Sequence, residues 1–565
     1  MTRAAPSPSP PLRPARVAAV ALAVASAGAI GCRPADPPQV DWCAVPLSSP
    51  VAPRAEPDGG LIYEIFVRSF QDSDGDGVGD LAGVTARLDH LESLGVTSLW
   101  LMPIFESPDR SGYAPVSWSA VEADYGGEAD FDSLVEAADA RGMRVLLDVP
   151  FNHTSSQHPW FESALADSES PHVTDYLFSE HQWDEVRWFP TGDGRYYYGF
   201  FGEDYPDLDL TRVSVMDRLS PALGAWLDRG AGGYRVDAVL QLIEDDDQVS
   251  DSPASHCLMA WVTQEIHQAD PTALVLSEAW SQLPARNLSW LGDEAAPESD
   301  LVLDVPRWWA NLVTWRFGDT AELRAVLQAE LDAGQEGRVA PYLGSHDVDR
   351  STLTIEDARA RRAAMVLHLL GPGQPVLYYG EEIDLPSPDP TGLPDLPQRG
   401  PMLWDDTLHA GFTAGEPWFP VDPDYLDGRT VAAQAEDEGS MLSLARALVA
   451  LRARSPAART GATTLLPSEV GAVLALSRMS DEDGVVVVIN SSADPQFVVE
   501  LDLPGGLGPW TELVTGEPVA RDDGGHFVHL RYDRLDGYAY KVYGTPALAR
   551  ERLPGQAPAA EPPEG

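Results

Sequence analysis

Residues 142–153 read GMRVLLDVPFNH. Arg144–Val149 is a short, nearly unbroken apolar run that ends among polar groups: Asp148, Asn152 and His153. A run of this length without alternation is the pattern of a parallel strand buried on both faces. Working outward, seven more such runs occur: Leu61–Val67, Val96–Leu101, Gly233–Asp237, Leu274–Glu278, Leu301–Asp304, Ala340–Leu343 and Pro375–Tyr379. Helical patterns lie between many of them. Leu81–Leu94 carries Leu81, Val84, Leu88, Leu91 and Leu94 on one stripe, with Gly95 as its stop. Phe131–Ala140, closed by Arg141-Gly142, is a second. Eight alternations predict an α/β fold, the (β/α)₈ TIM barrel.

The gap between the third and fourth runs exceeds a plain βα unit, so 151–210, rich in aromatic residues, is expected to be an inserted subdomain. The barrel is then assigned to 58–150 and 211–464. Short β runs follow (Ala472–Ser477, Gly484–Ile489, Gly537–Val542), predicting a C-terminal antiparallel β domain over 465–545 and a disordered tail over 546–565. At the other end, Arg3, Arg13 and Arg16 precede an apolar stretch, Val17–Ile30, too short for a comfortable membrane span. Ala29-Ile30-Gly31-Cys32 resembles a bacterial lipobox, so 1–32 reads as a lipoprotein-type signal peptide, with an ordinary signal peptide as the alternative. The expectation is an exported protein anchored through lipid on Cys32, with 33–57 as a Pro-rich tether. Cys43 and Cys257 remain, and their spacing leaves open whether they pair. The net charge of −50 over 565 residues repels nucleic acid and anionic lipid headgroups, excluding both as partners.

Side chains that do chemistry on such a barrel emerge at the C-terminal ends of its strands. There the fourth run ends in GYRVDA (Arg235, Asp237), the fifth in SEAW (Glu278) and the seventh region in GSHDVDR (His346, Asp347, Arg350). One such Asp is ordinarily a cap or turn residue. Four strand ends aiming the same charged types at one mouth need another explanation. In this order the segments resemble the signature regions of the α-amylase family, glycoside hydrolase family thirteen. YPDLDL (205–210), RGPMLW (399–404), GFTAGEPWFPV (411–421) and HTSSQHPWF (153–161) are similar to segments of its oligo-1,6-glucosidase, trehalose synthase and intermediate bacterial α-amylase branch.

The resemblance implies a retaining glycosidase with Asp237 as nucleophile, Glu278 as general acid/base and Asp347 as the third carboxylate. His153, Arg235, His346, Tyr113 and Arg350 are the implied substrate-binding set, and Asp148 the group that orders its strand end. Arg235, two residues before Asp237 on one strand face, is placed to keep it ionised. A retaining mechanism sets the two reacting carboxyls about 5–5.5 Å apart, and no organic cofactor is needed. DSDGDGVGD (72–80) spaces Asp72, Asp74, Asp76 and Asp80 around the Val78 carbonyl, hard oxygen donors suited to Ca²⁺, with Mg²⁺ as the alternative. Asn152 matches a calcium-ligand position of many α-amylases. Two departures bear on substrate: Ala114 stands where the family has Asp after Gly-Tyr, and Leu240-Gln241 where many α-amylases have Lys-His. The leading expectation is hydrolysis of α-1,4-glucans or maltooligosaccharides. Beside it stand an exo-α-glucosidase or trehalose-forming isomerase, and a non-catalytic glucan-binding lipoprotein, which the presence of all three carboxylates disfavours.

Overall fold

The computed structural model describes residues 39–47, 59–244, 250–387, 397–504, 509–519 and 527–555. Eight strands lie in one parallel sheet: β1 (Leu61–Ile65), β2 (Val96–Leu101), β3 (Arg144–Val149), β4 (Gly233–Val236), β5 (Leu274–Ser277), β6 (Leu301–Leu303), β7 (Val339–Ala340) and β8 (Val376–Tyr378). Consecutive strands from β1 to β7 are neighbours, and β8 pairs with β1. The ring is completed by Val376 N–H to the Pro341 carbonyl (2.8 Å) and Gln374 N–H to the Val339 carbonyl (2.9 Å). This is the expected TIM barrel, filled by Ile62, Trp100, Leu146, Leu276, Leu301 and Val376, which pack as one cluster inside it.

Local chemistry moves several boundaries. The first run was expected to extend to Val67, but β1 stops at Ile65 and Val67–Phe70 is a helical turn. The Leu81–Leu94 stripe is two helices, Leu81–Ala86 and Leu88–Leu94, hinged at Arg87 (φ −103°, ψ 5°). Arg87 leaves helical geometry while its guanidinium bonds Gln71 Oε1 (2.6 Å) and covers the Trp404 ring. Gly95 does end the second helix, in the left-handed conformation that a Cβ disfavours.

The insertion after β3 holds the helix Pro159–Ala166 and a three-stranded antiparallel sheet, Phe178–Ser179, Trp188–Pro190 and Tyr196–Tyr198, around Phe161 and Tyr176. At the C-terminus a five-stranded sheet includes Ala462–Leu466, Val473–Met479, Gly484–Asn490 and Tyr540–Gly544. Its last strand begins three residues later than the Gly537 start expected, because Gly537-Tyr538 is still turning, with Tyr538 at φ 57°.

Both flanks depart from expectation where they are described. Within the presumed tether, Trp42 is buried, donates to the Leu210 carbonyl (2.8 Å) and packs on Trp261. Cys43 is disulfide-bonded to Cys257 on the helix Pro253–Ala269. Within the presumed tail, Leu548 and Leu553 are buried in the main core, and Leu553 N–H bonds the Leu513 carbonyl (3.0 Å). Apolar side chains that reach the core dock these segments against the folded body despite their Pro-rich composition. The segment expected to be a signal peptide, with Cys32, and 556–565 lie outside the described residues. Among the described residues no helix is long and apolar enough to cross a membrane.

The disulfide closes a loop spanning 214 positions, and such bonds stabilise by about 2–4 kcal/mol. Reductant is therefore expected to lower the Tm of the wild type by several degrees, and Cys257→Ser to abolish the response. A Tm indifferent to reductant would contradict the pairing.

Candidate active site

At the C-terminal mouth of the barrel, β3, β4 and β5 converge on one guanidinium. Arg235 is 0% exposed and lies between Asp148 Oδ1 (2.7 Å) and Asp237 Oδ1 (2.5 Å) on Nη1, with Glu278 Oε1 at 2.9 Å from Nη2. Arg235 and Asp237 share a face because strand side chains alternate. Asp148 also accepts from Trp100 Nε1 (3.0 Å) and Tyr113 Oη (2.8 Å). With all its contacts made to neighbouring residues, it is fixed as a buried organiser.

The second half comes from the loop after β7. His346 is buried, with Nδ1 2.5 Å from Glu64 Oε1, and Nε2 2.7 Å from Tyr113 Oη and 3.0 Å from Asp347 Oδ2. The Tyr113 and His346 rings stack, 5.3 Å apart and 11° from parallel. Asp347 faces the cavity with 38% of its side chain accessible, and Arg399 Nη2 lies 3.4 Å from its Oδ1. His153 Nε2 meets the Tyr113 carbonyl at 2.8 Å. Tyr113, His153, Asp237, Glu278 and Asp347 line one cavity of about 470 Å³, with Phe201, Tyr205, Ala238, Gln241 and Trp280.

The charges around this cavity differ in character. Burial pushes the Glu278 carboxyl up to about 8, reinforced by Asp237 and Asp347 and opposed by Arg235. Burial also works against ionised Asp347, but the His346 imidazole, with Arg399 and Arg235, outweighs it and holds that carboxyl well below its ordinary range. Burial opposes charge on His346 too, yet Asp347 and Glu64 raise it to about 10, making it an imidazolium at neutral pH. Asp148 rises to about 6 through burial, against the pull of Arg235. One mouth thus holds a carboxylic acid that keeps its proton, Glu278, beside a carboxylate that does not, Asp347.

A family model described as the α-amylase catalytic domain matches residues 64–461. The chain belongs to the α-amylase family. As a member of it, this protein is a glycosidase. It is 30% identical to the trehalose synthase/amylase TreS of Mycobacterium tuberculosis over 551 residues, covering 85% of this chain and 87% of that one. It is 29% identical to a glucan 1,6-alpha-glucosidase of Streptococcus dysgalactiae subsp. equisimilis, covering 79% and 92%. Among solved structures, the alpha-glucosyl transfer enzyme XgtA superimposes with a TM-score of 0.74 at 28% identity, covering 86% of this chain and 99% of that one.

Of the residues this α-amylase-family chain was expected to use, Arg350 stands apart. It is fully buried, donates to the Tyr379 carbonyl (2.7 Å) and the Gln398 carbonyl (2.9 Å), and packs on Tyr378 and Tyr379. Its guanidinium is used in holding the loop beneath the site, so it does not reach substrate. Ala114 is buried and outside the cavity lining, while Gln241 is part of the wall. Three contributors escaped the sequence reading. Glu64 is the one acidic residue inside the apolar run LIYEI, an anomaly that marks it. Arg399 lies in RGPMLW, quoted for its resemblance but given no role. Ala238 sits in the left-handed region (φ 47°) and aims its N–H at Glu278 Oε2 (2.9 Å), a strain that no residue type announces.

The acidic loop 72–80 lies beyond this cavity. Carboxylate oxygens of Asp72, Asp74 and Asp80 gather within 4.8 Å of one another. Asp76 is not in that group; its Oδ1 accepts from Val78 N–H (2.8 Å). Thr413 Oγ1 bonds Asp72 Oδ2, and Trp418 N–H bonds the Gly77 carbonyl (2.9 Å), so the loop packs on segment 411–421. A Cβ on Gly77 would stand 1.9 Å from the Glu416 carbonyl oxygen, so only glycine permits this approach.

Glu64→Gln removes one of the two anions that charge His346. In histidine-labelled protein, the NMR titration of His346 is expected to lie near pH 10 in the wild type and to move down toward neutrality in the variant. A wild-type transition near the ordinary imidazole value would contradict the ion-pair network.

Proposed function

We propose that the protein is a retaining hydrolase of α-glucosidic bonds in α-1,4-glucans or maltooligosaccharides. The observation that carries the reading is the single guanidinium of Arg235, which meets Asp237 and Glu278 at once and so holds the two carboxyls at one reaction centre. Asp237 attacks the anomeric carbon while Glu278 gives its proton to the departing glycosidic oxygen, leaving a glycosyl ester on Asp237. Glu278, now ionised, takes a proton from water, which opens that ester with net retention. Asp347 accepts hydrogen bonds from sugar hydroxyls. The buried His346 imidazolium, its N–H groups engaged by Glu64, Tyr113 and Asp347, adds positive charge beside Asp347. Tyr113 offers an aromatic face to the ring and His153 closes the wall.

The glucan 1,6-alpha-glucosidase and trehalose synthase among the relatives favour a second reading, exo-action on α-1,6 bonds or glucosyl transfer that yields trehalose. The product profile of the purified protein on maltoheptaose separates them, with Asp237→Asn as control. Mixed maltooligosaccharides that vanish in the control support internal α-1,4 cleavage. Glucose alone, turnover only of isomaltose-type substrates, or trehalose selects the second reading. No turnover of either series rejects both.

The loop 72–80 holds Ca²⁺ in this reading, or Mg²⁺, through Asp72, Asp74 and Asp80. Hard carboxylate donors from three side chains, gathered within 4.8 Å of one another, support the fit. The ion offsets the mutual repulsion of the three carboxylates and stiffens the loop. Export with a lipid anchor on Cys32 completes the proposal, supported by the basic and apolar N-terminal segment and by the Cys43–Cys257 bond, which is at home in an oxidising compartment.

Two measurements follow. Glu278 is active as an acid only when protonated, so kcat/KM is expected to fall as pH rises through about 8, tenfold per unit beyond. A flat profile to pH 10 would remove Glu278 from that role. Chelation by EDTA should lower Tm by several degrees, reversed by Ca²⁺ and absent in Asp72→Asn; a Tm unmoved by EDTA would dismiss the ion.

A further inference from the structure

The mouth carries aromatic surface that the chemistry above does not use. Trp280 follows Glu278 by two residues, lines the cavity and is 45% exposed. Its ring lies 6.1 Å from that of Trp308, which lies 6.2 Å from Trp309 on the same helix, Val305–Phe317. Trp308 is half-buried and stacks on Tyr342 (6.1 Å, 10° between planes), so the middle ring is held from behind. Trp309 turns outward and is 38% exposed. The three rings form a connected row from the cavity wall after β5 to the helix after β6.

Single exposed apolar side chains are common, but a connected row of indoles opening from a polar cavity is a ligand surface. Sugar rings present C–H faces that pack on aromatic rings and hydroxyl edges that stay in water, which suits half-exposed indoles. The direction follows from the chemistry. Tyr113, His153 and Asp347 enclose the sugar attacked by Asp237, and Glu278 must reach the oxygen on its leaving side. Trp280 lies next to Glu278, so the row begins where the leaving group sits.

We propose that Trp280, Trp308 and Trp309 form an aromatic rail for the leaving-group side of an α-linked glucose chain, extending recognition beyond the first leaving sugar. The inference rests on the glycosidase reading above. The rail makes long chains better substrates than disaccharides, and during transfer it holds an incoming acceptor chain in the same place.

The test compares kcat/KM for maltose and maltoheptaose, with isomaltose and isomaltoheptaose in parallel. In Trp309→Ala the long-to-short ratio is expected to drop about threefold to tenfold, the worth of one aromatic contact. Trp309→Phe retains the ratio, which separates loss of the ring face from loss of fold. Trp183→Ala, an indole 70% exposed on the inserted subdomain, leaves it unchanged. An unchanged ratio in Trp309→Ala, with wild-type turnover intact, overturns the rail alone. A wild type that turns over neither series overturns the glycosidase reading, and the rail with it.

Discussion

A guanidinium with no solvent exposure is tolerated only where anions surround it, and Arg235 is enclosed by Asp148, Asp237 and Glu278 with the Trp100 ring 5.3 Å away. The dependence runs both ways. Without Arg235 the mouth would bring carboxyls from β3, β4 and β5 together with nothing between them, at a cost of several kcal/mol for each buried charge left unpaired. The barrel register is what lets one cation serve three strands: Asp148 is level with Arg235 across the β3–β4 pair, and Arg235 with Leu276 across β4–β5. A slip of one residue would turn Arg235 or Asp148 away from the mouth.

The wider site follows from the same charge balance. Glu64, Asp148, Asp237, Glu278 and Asp347 share the neighbourhood of Arg235, His346 and Arg399. With more carboxyls than cations, the arrangement favours one carboxyl remaining protonated. Glu278 keeps its proton because burial and the neighbouring Asp237 and Asp347 outweigh Arg235 and the Ala238 N–H on its second oxygen, both of which favour the anion. Asp347, between His346 and Arg399, is the carboxyl whose environment most favours ionisation. The acid and the carboxylate are thus sorted by position and not by residue type.

The outer wall of the cavity comes from the loops. The inserted subdomain contributes Phe201 and Tyr205 to the cavity, and Asp207 ties it to the end of β3 through Asn152 Nδ2 (3.2 Å). Beyond the cavity the acidic loop 72–80 and segment 411–421 brace one another. Both segments were singled out in the sequence for separate reasons, and their contact unites them.

The apolar runs and their spacing determined the barrel, because a strand buried on both faces must be apolar throughout, and the order of charged strand ends identified the family. Asp237, Glu278, Asp347, His153 and His346 were legible because they lie at or shortly after strand ends that periodicity locates, whereas Tyr113, well past the end of β2, was named through the family resemblance alone. Arg350 was legible as a charged residue in the right motif, but only packing revealed that its guanidinium points at backbone carbonyls under the site. Glu64 could be noticed as an acid in an apolar strand, yet its partner lies 282 positions away. The Cys43–Cys257 bond, the docking of Trp42 and Leu553, and the pairing of Arg399 with Asp347 depend likewise on contacts between distant segments. Periodicity reports which face of an element is buried; which residue waits on the other side of that face is decided when the chain closes on itself.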